Sequence, residues 1–256
     1  MKTKFFEKLK KKVFIHNFVK EIDEKYDKLK IKRQLTSAQI NEIQDYWLKL
    51  IGHKVPLSWH RFMYSRTGIY SKKYIPLSVY RSELIGRMNN FAFMEAYADK
   101  NVSEMLFPDV KQPHTLLKNI NGYYYIDGKA VTEDIAVQAC SNLTNMIIKP
   151  SLESRGTGVK LLNVKDGVSN IDDKYIKDVF KFYGKNYLIQ EKVKQHPAME
   201  ALNPSSANTI RLLTYRMGMD VVLLYAVIRI GKSGQVIDNE SKGGISAKIN
   251  SDGTLA

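Results

Sequence analysis

The sequence predicts an α+β protein whose strands are preceded by a helical N-terminal region. Three observations support that class. Residues 3–33 are lysine-rich and place Phe5, Phe6, Leu9, Val13, Phe14 and Phe18 at mixed three- and four-residue spacing, a helical period. From about residue 114 the texture changes to short apolar runs, punctuated towards the end by Gly218, Gly231, Gly234 and Gly253. The closing runs follow one another as strand–turn–strand, so at least part of the sheet is antiparallel.

The elements follow in order. The apolar positions of the first helix suit either a membrane interface or packing on the helix's own domain. A second helix begins at Thr36, where Thr36 and Gln39 have capping-box spacing; Ile40, Ile43, Trp47 and Leu50 then share a face, and Gly52 ends it. Residues 53–106 are aromatic and mixed, with a helix ending near Asp99 and Lys100. Pro108 and Pro113 suggest a boundary near 105–112, giving an N-terminal region 1–105 and two further parts, 106–193 and 194–256. Cys140 falls in a helix and reads as core. NMIIK (145–149), GVKLLNV (158–164), YLIQEKV (187–193), TIRLLTYR (209–216), VVLLYAVIRIG (221–231), QVIDN (235–239) and GGISAKIN (243–250) read as strands, the longest of them buried. DDKYIKDVFKF (172–182) reads as a helix with Tyr175, Ile176, Val179 and Phe180 inward.

Composition removes several classes. With 256 residues, 44% apolar and 26% charged, the chain has globular composition. One cysteine excludes a disulfide scaffold and suggests a reducing, cytoplasmic setting. No apolar run reaches the roughly 18 residues of a membrane helix, and lysines interrupt any leader-like stretch at the N-terminus. The net charge is +14. Residues 1–33 hold twelve Lys/Arg and five Asp/Glu, so half of the excess sits there. A nucleic acid, an anionic membrane or an acidic small molecule would each suit that charge, but no nucleic-acid module is present, and nucleic acid is not expected as a partner.

Four constellations carry candidate chemistry. In Lys149-Pro150-Ser151-Leu152-Glu153-Ser154-Arg155-Gly156-Thr157-Gly158, a strand delivers a lysine into a turn of small residues. Such a turn lets backbone N–H groups approach an anion, and the lysine adds a point charge for phosphate oxygens. An ordinary hairpin loop with a solvated lysine reads the same way. In Gln190-Glu191-Lys192-Val193, polar residues interrupt an apolar strand and could read an adenine edge, or simply end the strand. Arg211 opens an otherwise apolar strand after Asn208, where a guanidinium needs an oxyanion or an internal acid. Asp238-Asn239 suits a tight turn or a substrate loop better than a metal site. The five histidines show no ligand spacing, so zinc is not expected.

At these residues the sequence resembles the ATP-grasp enzymes, and within them the sugar-transfer-associated ATP-grasp proteins of bacterial surface-polysaccharide loci. The segments that carry the resemblance are YIPLSVYRSEL (74–84), NNFAFMEAYADKNVSEMLFPDV (89–110), MIIKPSLESRGTGV (146–159), LIQEKVKQHPAMEALNPSSANTIRLLTY (188–215) and VIRIGKSGQVIDNESKGGI (227–245). It covers roughly residues 58–256 and implies an ATP-grasp fold, two α+β subdomains enclosing ATP. It also implies that Lys149 contacts the phosphates and that Ser151, Ser154, Gly156 and Gly158 form a flap over them. Gln190, Glu191 and Val193 would line the adenine hinge. Arg211 with Asn208 would face the γ-phosphate or the acyl-phosphate intermediate, completing with Lys149 the candidate catalytic set. Lys118 would be the upstream phosphate lysine, and His196 and Glu200 would lie within reach of the ribose.

The family normally holds Mg²⁺ through an Asp followed by Glu-x-Asn. No such trio precedes Ala256, so the chain is expected to be either a fragment or a protein without that metal site; its metal ligands are unassigned. The implied activity is ATP-dependent ligation of a carboxylate to an amine through an acyl phosphate, with ATP and Mg²⁺ as cofactors, in surface-polysaccharide synthesis. The alternatives are a nucleotide-binding interaction module without turnover and, less favoured, a basic nucleic-acid-binding protein. A cytoplasmic protein is expected, touching the inner membrane face through its basic N-terminal helix.

Overall fold

A computed structural model describes residues 2–154, 156–236 and 238–256, with the side chains of residues 2–12 and of Ser241 left aside. The side chains of Phe5, Phe6 and Leu9 thus lie outside the described residues, as do Arg155 and Ile237. The chain packs as two units, Met1–Met94 and Glu95–Ala256.

The first unit is helical. Helix α1 (Lys2–Asp27) is followed by α2 (Ser37–Ile51) and α3 (Ser58–Thr67). The α2 boundaries follow the sequence closely. Thr36 and Gln39 exchange side-chain and backbone bonds in a capping box, and Gly52 closes the helix at φ 83°. Ile43 and Trp47 are buried with Val55 and Val79, whereas Leu50 at the end of the predicted face is exposed. Ile22 and Tyr26 from the second half of α1 pack on Phe62 of α3. Phe14 and Phe18 touch edge to face at 4.7 Å, yet Val13 and Phe14 are exposed. α4 (Leu77–Val79) continues through a π-helical turn (Tyr80–Leu84) into α5 (Ile85–Met88). The division between units falls inside α6 (Phe91–Ala98), earlier than the proline-marked boundary. The segment after α6 is tied into the second unit: Lys100 N–H and Nζ both donate to Ser151 O, and Asn101 Nδ2 donates to Asn119 O.

The second unit is α+β, and every ladder in it is antiparallel. After α7 (Ser103–Leu106) come β1 (Thr115–Ile120), β2 (Tyr123–Ile126), β3 (Lys129–Val131), α8 (Glu133–Ala139), β4 (Leu143–Pro150), β5 (Lys160–Lys165), β6 (Val168–Ser169), α9 (Ile176–Tyr183) and β7 (Tyr187–Glu191). These strands form a sheet in the order β3-β2-β1-β7-β4-β5-β6. One face carries Leu117, Met146, Ile148, Leu162, Tyr187 and Ile189 and is covered by Ala136 of α8, Cys140 just after it, and Ile176, Val179 and Phe180 of α9. Cys140 is core, as expected; Tyr175, predicted inward, is exposed. Because side chains alternate along a strand, Ile147, Lys149, Leu188 and Gln190 belong to the opposite face.

Past the short α10 (Pro197–Glu200), β8 (Thr209–Met217), β9 (Asp220–Ile230) and β10 (Ile245–Ile249) make a second sheet in the order β10-β9-β8. Two expectations are corrected here. The described residues of 235–239 form no strand but a bend. The long run 221–230 is a strand but is not buried: Val221, Val222, Leu223, Leu224 and Tyr225 are all exposed. An uninterrupted apolar run usually means cover on both faces, and among the described residues nothing covers this stretch.

Candidate functional site

Two neighbouring strands build the centre of the site. β4 and β7 pair with Lys149 opposite Leu188 and Ile147 opposite Gln190. Lys149 and Gln190 therefore share the face away from the helices. Glu191 pairs with Met146, three residues from Lys149 along the ladder, about 10 Å at strand rise. A cleft of about 300 Å³ opens over this face and is lined by Lys149, Gly156, Gln190, Glu191, Val193 and Arg211, among others. Six of the residues singled out in the sequence thus meet around one cavity, although they span more than sixty positions of chain.

Lys149 and Lys100 share this cleft. Burial, and then the charge of Lys100, push the Lys149 ammonium down from 10.5 to about 8. Burial also lowers Lys100, while Asp99 and Glu153 oppose the shift. Lys100 Nζ is fixed by Ser151 O at 2.8 Å and Glu153 O at 2.7 Å, and it lines the same cleft. Two cations held together in a half-buried cleft repel one another unless an anion lies between them.

Lys100 lines this cleft with Lys149, whereas Lys118 does not. Lys118 Nζ donates to Glu104 Oε2 at 2.7 Å beside a different cavity, lined by Glu104, His114 and Asp127. Burial alone would raise Glu104; its bonds from Lys118 and Thr115 outweigh that and hold the carboxyl below its usual range.

Asn208 is likewise corrected. It lies buried behind the cleft with its amide fully engaged: Nδ2 donates to Met199 O and Asn203 O, and Oδ1 accepts from Ser206 Oγ at 2.6 Å. Its N–H donates to Gln195 Oε1. This knot fixes the chain as it turns into β8, so Asn208 positions Thr209 and Arg211. His196 caps α10, Nδ1 accepting from Ala198 N–H, and neither it nor Glu200 lines the cleft.

The flap residues divide. Gly156 lines the first cleft, and Ser154 lines a second, larger one that shares Arg211 with it. Ser151 is fully buried, its Oγ without a partner among the described residues. Gly158 is at φ 69°, and a Cβ there would lie 2.8 Å from Cδ and Cγ of Pro150. Its role is to let the loop fold back on β4. Asp238, on the far wall, accepts from Thr209 Oγ1 and lies 3.9 Å from Arg229. At the hinge, Glu191 N–H donates to His114 O and Lys192 N–H to Asn145 O, whereas Val193 N–H has no acceptor among the described residues.

The family model of the sugar-transfer associated ATP-grasp proteins matches residues 79–256. This chain belongs to the sugar-transfer associated ATP-grasp family. No curated protein and no solved structure matches it. ATP-grasp proteins are in general ATP-dependent ligases, so ATP is the implied substrate. They usually bind ATP with Mg²⁺. In this ATP-grasp chain, no three His, Cys, Asp or Glu side chains among the described residues are grouped to hold a metal. The acids lining the first cleft, Glu191 and Asp238, do not amount to a magnesium site. No helix among the described residues is long and apolar enough to cross a membrane.

Proposed function

We propose that this chain is a carboxylate–amine ligase that works through an acyl phosphate and serves the synthesis of a bacterial surface polysaccharide. The observation that carries the reading is the shared cleft. Lys149 and Lys100 stand at one end and the Gln190–Val193 hinge at the other, about 10 Å apart along the sheet, a span that one nucleoside triphosphate bridges. Val193 N–H supplies a donor for the adenine edge, and the two ammonium groups neutralise phosphate oxygens. Arg211, on the opposite sheet, faces the terminal phosphate.

In this reading an oxygen of the substrate carboxylate attacks the γ-phosphorus, and the bond to the bridging oxygen breaks with loss of ADP. The amine then attacks the acyl carbon, phosphate departs with the electrons of the C–O bond, and the nitrogen gives up a proton to solvent. The protein contributes placement and charge neutralisation, without a covalent nucleophile. The described residues do not make a magnesium site, and no step is assigned to the metal.

A thermal shift with ATP·Mg²⁺ that disappears in Lys149→Ala is the expected result; no shift in the unaltered protein overturns the proposal. A shift without ADP release in the presence of any acid and amine would instead support a binding module without turnover. Contact between the basic N-terminal helix and a membrane is a separate element of the proposal. Flotation with anionic vesicles, lost on removing residues 1–20, is its expected signature.

A further inference from the structure

A second cleft, of about 700 Å³, adjoins the first and shares Arg211 and Arg229 with it. It is lined by Ser154, Arg211, Tyr225, Arg229, Glu240 and Ser246, among others. The strand register explains how these residues meet. Thr209 pairs with Arg229 and Arg229 with Ser246; one step along, Arg211 pairs with Val227; and Tyr225 pairs with Leu213. Counting by twos puts Arg211, Tyr225, Arg229 and Ser246 on one face of the three-stranded sheet. Its other face carries Ile210, Leu212, Ile228 and Ile245 and is apolar.

The charges are arranged unevenly. Arg229 Nη2 already donates to Asp238 O at 3.3 Å and lies 3.9 Å from that carboxylate. Arg211 has no ion pair among the described residues, and it lines both clefts. It is the cation available to an anion at their junction. Ser246, on β10, lies two strands from Arg211, about 10 Å across the sheet. There Glu240 Oε1 accepts from Ser246 Oγ, and a carboxylate has room for further donors. Tyr225 supplies an apolar surface beside them. The cleft therefore offers a cation at its nucleotide-side end, a carboxylate at the other and an aromatic ring.

We propose that this second cleft holds the phosphoryl-accepting substrate, a small carboxylic acid bearing an ammonium or hydroxyl group, with its carboxylate on Arg211 and its donor group on Glu240. The inference rests on the nucleotide reading of the first cleft. Guanidinium and carboxylate match in bidentate geometry, and Arg211 would bring the attacking oxygen to the terminal phosphate. Ser154 belongs to the loop that carries Gly156, so one loop borders both the nucleotide and the acid. Amino acids and sugar acids share the required chemistry.

The test uses the full chain in two stages. The thermal shift with the β,γ-methylene analogue of ATP and Mg²⁺ is recorded first; its absence overturns the nucleotide reading and this inference with it. The standard amino acids, β-alanine, D-glucuronate and D-galacturonate are then added, with propionate as an acid lacking a donor. At least one probe should raise the melting temperature beyond propionate. Its affinity should fall tenfold or more in Glu240→Ala while the nucleotide shift is unchanged. Glu240→Gln separates the two sources: loss of affinity identifies an ammonium, retention a hydroxyl. A nucleotide shift with no probe better than propionate, or acid affinity unchanged in Glu240→Ala, overturns the inference and leaves the nucleotide reading standing.

Discussion

Replacing Lys149 with methionine should make the ligand-free protein more stable while abolishing its response to nucleotide. The ammonium's value falls from 10.5 to about 8 because it is half-buried beside Lys100, so in the ligand-free fold the charged form is disfavoured. At about 1.4 kcal/mol per pH unit that is roughly 3 kcal/mol, which solvent reaching the group reduces to about 1–2 kcal/mol. The penalty is complete at pH values below about 8, where Lys149 is charged in both folded and unfolded chains. It fades as the pH climbs towards 10.5, because the folded state sheds its proton first. Lys149→Met should therefore melt a few degrees above the unaltered protein at pH 7, and the two curves should converge near pH 10. Differential scanning calorimetry at both pH values, with and without ATP·Mg²⁺, reads all of this. Identical melting at pH 7, or a gap that persists unchanged at pH 10, would show that Lys149 is not strained by burial and remove the electrostatic basis of the site.

Nucleotide affinity itself should weaken as the pH rises above about 8, since Lys149 then discharges in the free protein; calorimetric titrations at pH 7 and 9 measure it. Gly158→Ala should cost about 2–3 kcal/mol in urea unfolding, from the 2.8 Å approach to Pro150 and the left-handed backbone. Asn208→Ala should lose about 2–3 kcal/mol of stability through the partners it strands; unchanged stability with weakened nucleotide binding would restore Asn208 to the phosphate site. The buried Cys140 thiol, pushed up to about 12, should resist a chromogenic disulfide reagent at pH 8 until denaturant is added.

What the sequence made readable was local. Thr36, Gln39 and Gly52 bracket α2 because capping is decided within one turn. The β4, β7, β8 and β9 strands announce themselves as apolar runs. Strands β1 to β3 do not, because TLLKNI and YYYI mix polar and aromatic residues rather than forming an apolar run, and β3 is a three-residue strand at the sheet's edge. Lys149, Gln190, Glu191 and Arg211 stood out because polar groups interrupt strands there, and the structure gathers them in one cleft. Lys100 was missed: nothing beside it marks it, and its meaning comes from Ser151 and Lys149, about fifty residues away. Asn208 was misread for the opposite reason, since its conspicuous setting in SSANTIR reflects a hydrogen-bonded knot rather than a ligand. The exposure of residues 221–225 is a property of what surrounds a strand, which no run of residues encodes.

That uncovered hairpin has a consequence at the bench. A wet, greasy ribbon on a molecule carrying +14 is kept from its neighbours chiefly by mutual repulsion. Ordinary buffer ions shorten the reach of that repulsion to about 8 Å without weakening the attraction between the ribbons. Light scattering should therefore report growing particles as sodium chloride is raised, the reverse of what a sparingly charged, well-covered protein does.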